Sequence, residues 1–180
     1  SKSSRMKQAY DDAVYLMNEA ECELMIAEAY ARLGDAEKAE EYYNKGVLAG
    51  FSRWGFDGTA FVDGAYKFDK ADMLHSIAMQ YWVTYAGANA YDGWMTRNRF
   101  GIPEVQANIT VRKSTTALQR ELSDGYVLGN LVDPGASNMN AGEYPMRLLY
   151  PTATTLYNSA AAKYVEENGN SLTKKLWWEK

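Results

Sequence analysis

Half-absent residue types narrow the function of this 180-residue chain before any motif is read. A single cysteine, Cys22, rules out an intramolecular disulfide framework, and its helical context suits a small buried hydrophobe. A single histidine, His75, leaves no histidine-rich metal site and at most one imidazole for a catalytic triad. No serine or cysteine near it carries a nucleophile turn motif, so His75 reads as a surface or half-buried helical residue. Charge of one sign is also lacking: 19 basic residues against 23 acidic give a net charge of -4, without the basic footprint that nucleic acid requires. No run reaches the roughly 18 apolar residues of a membrane span, and Ser1 to Arg5 opens without the apolar stretch of a signal peptide. No glycine pattern lies between a strand and a helix to hold phosphates.

Aromatic side chains are plentiful, with 14 Tyr, 5 Trp and 5 Phe. Tyr and Trp join an apolar face to a polar tip, which suits both core packing and stacking on sugar rings. From Tyr10 to Ala31 the apolar residues Tyr10, Val14, Met17, Ala20, Leu24, Ala27 and Ala31 recur at helical spacing. Gly34 stops that helix and Asp35 caps a second, whose face carries Ala36, Ala39, Tyr43 and Val47 up to Gly50. The text from Glu28 to Lys45 is similar to one tetratricopeptide repeat, with Gly46 where alanine is usual and no closing proline. A lone repeat cannot bury its stacking face, so another element must cover it.

Residues 50–69 form a long loop rich in Gly, Asp and aromatics. Asp69 and Asp72 then begin a helix with the stripe Leu74, Ile77, Ala78, Tyr81, Trp82 and Tyr85. A shorter helix from Asn89 bears Tyr91, Trp94 and Met95 and ends in Arg97 and Arg99 before Gly101 and Pro103. Beyond it, residues 109–112 suit a short strand, 115–122 a weak helix, 133–138 a turn, and 153–167 a helix with Leu156, Ala160, Tyr164 and Val165 inward. Helical spacing places Trp82, Tyr85, Trp94, Tyr30 and Tyr43 in the interior. The fold class expected is mainly α. It comprises a tetratricopeptide-like hairpin over residues 1–50 and helices with long loops over 51–180, in a single domain.

Three separated segments carry a resemblance. They are the run from Gln80 to Pro103 with Trp94, Arg97, Arg99 and Gly101; the stretch Tyr144, Pro145, Met146, Arg147 to Tyr150 and Pro151; and the terminal Leu176, Trp177, Trp178 and Glu179. In this order they resemble the C-terminal part of the SusD/RagB family of outer-membrane nutrient-binding lipoproteins, over roughly Ala20 to Trp178. The family's Arg-Arg pair with Thr-Gly-Tyr-Pro appears in altered register as Arg97-Asn-Arg99-Phe-Gly-Ile-Pro, and Thr154 replaces a common glutamate, while Asn158 matches. The resemblance implies a binding protein, not an enzyme; no metal or cofactor is expected, because neither metal-ligand spacing nor a nucleophile motif is present. Its implied partners are an oligosaccharide or peptide and a SusC-like TonB-dependent transporter. It also implies a place at the cell surface, on the outer membrane, through a lipidated N-terminus borne on an upstream segment of a longer polypeptide.

Within this chain the candidate ligand residues are Arg53, Trp54, Asp57 and Tyr66. An aromatic face flanked by a guanidinium and a carboxylate can stack on a sugar and hydrogen-bond its hydroxyls. A competing packing role has Trp54 and Phe56 plug the open side of the hairpin. Asp57 and Asp63 lack the spacing of a calcium loop. The alternative function is a generic helical, repeat-type protein-interaction module.

Overall fold

The computed structural model describes residues 11, 14–86, 89–107, 111–113, 120–122, 125–132 and 139–179. The protein is mainly helical and divides between Pro103 and Glu104 into two compact units.

In the first unit, α1 (Glu19–Leu33) and α2 (Ala36–Ser52) form the expected hairpin. Gly34 adopts the left-handed conformation (φ 81°), and the N–H groups of Gly34 and Asp35 return to the carbonyls of Ala31 and Tyr30. This closes α1 by a double backbone bond that a residue with a Cβ resists. Asp35 then accepts the Lys38 N–H at 3.1 Å and starts α2. The N-terminal boundary of α1 differs from the periodicity. Asn18 accepts the Glu21 N–H at 2.9 Å and caps the helix there, leaving Val14 (90% exposed) and Met17 outside it. Tyr10 lies outside the described residues.

Leu24, Ala27, Ala31, Ala39, Tyr43 and Val47 make the seam between the two helices. Gly46 explains the departure from the repeat pattern, because a Cβ there would meet Leu24 Cγ at 2.9 Å and the Ala20 carbonyl at 3.3 Å. The open side of the hairpin is covered by α4 (Met73–Tyr85), which brings Ile77, Ala78, Tyr81 and Tyr85 into the same core, and by Phe68, whose ring lies 5.0 Å from that of Tyr43. Burying side chains of this size stabilises by roughly 1.5–3 kcal/mol each. Tyr43 donates its hydroxyl to the Tyr66 carbonyl at 2.9 Å, and burial, with Tyr66 nearby, raises its pKa to about 12. Trp82, Trp94 and Tyr30 are half-buried, whereas Tyr43 and Tyr85 are fully interior.

Asp72 is the N-cap of α4, accepting the His75 N–H at 3.3 Å; Asp69 instead accepts from Ala71 in the preceding turn. His75 is exposed on the first turn of α4. A short helix, α3 (Thr59–Val62), interrupts the loop between α2 and α4. α5 (Ala90–Phe100) ends at Gly101 in the left-handed region (φ 73°).

The two guanidiniums of its last turn divide their work. Arg97 is buried and donates Nε to the Pro103 carbonyl at 3.0 Å, holding the chain just past the helix. Arg99 forks onto Glu28 of α1, with Nη2 to Oε2 at 2.9 Å and Nη1 to Oε1, while Arg32 Nε donates to the same Oε1 at 2.8 Å. Burial pushes the Glu28 carboxyl upward, but hydrogen bonds and charge from Arg99 and Arg32 outweigh it and hold the pKa below its ordinary value of 4.5.

In the second unit, β1 (Val105–Gln106) pairs in parallel with β4 (Leu131–Val132), and β2 (Val111–Lys113) pairs antiparallel with β3 (Arg120–Leu122). The helix expected over 115–122 is therefore a strand at its C-terminal end; 114–119 lie outside the described residues. The helix expected over 153–167 is two, α6 (Thr152–Tyr157) and α7 (Ser159–Asn168). Asn158 divides them, since its side chain accepts the N–H groups of Ala160 and Ala161 as an N-cap. Leu156 is 71% exposed and Ala160 is also exposed, while Ala161, Ala162 and Val165 turn partly inward.

Gly46→Ala should destabilise by about 1 kcal/mol in a chemical melt, because forcing apart a packed helix pair outweighs the gain in helix propensity. A neutral or stabilising effect would show that the α1–α2 seam yields freely. For Glu28 the depressed pKa means that its contribution is complete above the ordinary glutamate range and is lost as pH falls through the lowered value. Glu28→Gln should cost about 1–2 kcal/mol at neutral pH, a figure discounted for the solvent exposure of both arginines. Unfolding midpoints measured from neutral to acid pH should show that gap closing.

Candidate ligand-binding surface

α2 delivers the candidate residues at its C-terminal end. Arg53 is its C-cap, and a tight turn follows in which the N–H groups of Trp54 and Phe56 both bond to the Phe51 carbonyl. Trp54 is thereby thrown outward, 40% exposed, with Phe56, two residues on, at 68%. Neither plugs the hairpin, a task that α4 and Phe68 perform.

The Arg53 guanidinium sits 4.4 Å from the ring centre of Tyr15 and 5.3 Å from that of Trp54. Each such contact is worth about 0.5–1 kcal/mol at an exposed site, enough to bias the orientation of two surface rings without burying them. Tyr15 is the residue that sequence reasoning missed. It lies before α1 and had no periodic or motif signal of its own; only the fold brings it to the end of α2.

Asp57 is exposed. Its Oδ1 accepts the Thr59 hydroxyl at 2.6 Å and the Thr59 N–H at 2.9 Å, fixing the turn into α3. These two bonds, the hydroxyl's first, lower its pKa. Both fall on Oδ1, leaving Oδ2 of this exposed carboxylate without a hydrogen bond. Tyr66 is placed differently. It is half-buried, its ring 6.2 Å from Phe51 and 5.8 Å from Phe61, and its carbonyl serves Tyr43. Arg53 and Trp54 thus come together with Tyr15, Asp57 occupies the next turn, and Tyr66 belongs to the aromatic cluster that supports the loop from below.

An exposed indole and phenol around one guanidinium, with a carboxylate in the next turn, are groups whose chemistry suits stacking on and hydrogen bonding to hydroxyl-rich molecules. Among the described residues no group of three His, Cys, Asp or Glu side chains gathers to hold a metal ion. No helix there is long and apolar enough to cross a membrane.

The family model for SusD-like proteins, described as starch-binding and associating with the outer membrane, matches residues 1–122. The chain belongs to the SusD-like family. The match contains the hairpin, the Arg53–Trp54 turn and the Trp94 helix; the Tyr144–Pro151 and Trp177–Trp178 segments lie beyond it. No curated protein matches the chain. SusD-like proteins are binding proteins, and membership implies carbohydrate or nutrient binding in association with the outer membrane.

The Asp57 geometry is open to direct measurement. In a carboxyl NMR titration Asp57 should lose its proton below the ordinary aspartate range, and Thr59→Val should move the midpoint up by removing the larger of the two causes. An unchanged midpoint would mean that the Thr59 hydroxyl does not hold the carboxylate.

Proposed function

We propose that this SusD-like chain is the glycan-capturing part of an outer-membrane uptake complex, with Arg53, Trp54 and Asp57, joined by Tyr15, as its contact surface. Trp54 stacks on a sugar face, Tyr15 and the Arg53 guanidinium widen the plate, and the free oxygen of Asp57 accepts a ring hydroxyl. Tyr66 acts beneath, through Phe51 and Phe61. The observation that carries the reading is Trp54: a large indole held half in solvent between a turn and an arginine, in a family whose members bind starch. A core tryptophan would be covered, and an idle surface position does not require one.

The complex is completed by a SusC-like TonB-dependent transporter, to which the captured oligosaccharide, or in some members of the family a peptide, is passed. The protein faces outward from the cell, tethered by a lipidated segment upstream of the present sequence. The helical body serves as scaffold and docking surface. A free-standing repeat module is disfavoured because the stacking face of the one hairpin is already occupied by α4.

Trp54→Ala should weaken binding of a maltooligosaccharide by about 1–3 kcal/mol in calorimetry, the span seen when aromatic anchors are truncated. The thermal midpoint should stay near that of the parent. Normal binding with a lowered midpoint would return Trp54 to a packing role and remove the surface from this loop.

A further inference from the structure

A concave feature of the first unit is lined by none of the residues of that loop. α1 and α5 both pack on α4 but are joined to each other through the Glu28–Arg99 ion pair, and between them runs an open groove of about 550 Å³. Its floor is Tyr81 and Tyr85, stacked at 5.9 Å; Met25 and Met95 form the flanks, and Glu21 and Asp92 bring carboxylates from α1 and α5.

The polar groups of this groove are incompletely used. Arg32 and Arg99 both bond to Glu28, and with Glu21 and Asp92 also present, three carboxylates against two guanidiniums leave the lining one charge negative. Glu21 accepts the Tyr85 hydroxyl on Oε1 at 2.7 Å, while its Oε2 has no partner. Asp92 forms no ion pair among the described residues. Tyr81, only 2% exposed, has a hydroxyl with no hydrogen-bond partner. An unpartnered carboxylate oxygen and an unpartnered phenol are unfavourable when shielded from water, a deficit that a ligand bearing N–H donors removes. The residual charge repels anions. The two tyrosine rings are too covered to stack on a sugar, and the half-exposed methionines offer adaptable apolar walls.

We propose that this groove binds an organic cation, a primary ammonium or guanidinium on an aliphatic stem. The charge lies between Glu21 and Asp92, and the methylenes lie along Met25 and Met95. A free amine and a lysine or arginine side chain of another polypeptide share this chemistry, and two probes separate them.

Binding to the full 180-residue chain should be followed by amide NMR with cadaverine, with N-acetyl-lysine amide, and with neutral N-acetyl-norleucine amide as control. At least one cationic probe should shift resonances of residues 21–29 and 92–96 and the neutral control should not. Cadaverine alone would indicate a free amine, and the lysine amide a side chain. Asp92→Asn, a change at an exposed position, should weaken the cationic probe ~10-fold, and Glu21→Gln similarly if it folds, whereas Trp54→Ala should leave it unaffected. Absence of binding by both cations, equal binding of the neutral control, or indifference to Asp92→Asn would overturn the proposal.

Discussion

The close approach of α1 and α2 at Gly46 is the constraint on which the first unit depends. With Leu24 Cγ and the Ala20 carbonyl within contact of where a Cβ would stand, the two helices pack at a separation that any larger residue at position 46 would disturb. That separation sets where the hairpin's open face lies, and hence how α4 can deliver Ile77, Ala78, Tyr81 and Tyr85 into one core with Tyr43 and Val47. It also fixes the far end of α2, where the chain turns at Arg53. The Glu28 carboxylate then ties α5 to α1 through Arg99, an ion pair kept partly in solvent at the arginine end and nearly sealed at the glutamate end.

The proposed glycan surface begins where that seam runs out. A tryptophan left 40% exposed forgoes part of its burial energy, and scattered exposed apolar residues are ordinary on a protein surface. What distinguishes Trp54 is its company: a guanidinium shared with Tyr15, and an adjacent carboxylate with one oxygen occupied by Thr59 and one not. Rings and charges already held in place lose little freedom when a ligand arrives, so modest contacts translate into affinity. Tyr66, through Phe51 and Phe61, supplies the packed layer under that surface.

Much of the first unit was legible because its signals are local. Gly34 followed by Asp35 marks one helix end and the next start through backbone conformation and a single capping bond, and Gly101 marks the end of α5 by its left-handed conformation. The family resemblance was likewise legible in the Trp94 segment. Competition between local bonds and periodicity was harder to read. Val14 and Met17 fit the apolar stripe, yet Asn18 caps the helix after them; Asn158 breaks an otherwise continuous helical pattern by the same chemistry. Partners distant in sequence gave no signal. The pairing of Val105 with Leu131, the forking of Arg99 onto Glu28, and the arrival of Tyr15 beside Arg53 are products of the tertiary fold.

The Tyr15–Arg53–Trp54 surface is proposed as the place where a glycan meets this chain. Amide and indole NMR of the labelled protein titrated with a maltooligosaccharide tests it most directly. The largest shifts should fall on the Trp54 indole N–H and on the backbone of residues 53–57, with Tyr15 moving in step and the second unit silent. Shifts concentrated instead around Tyr150, Tyr164 or the exposed Trp177, or no shift at saturating sugar, would contradict it.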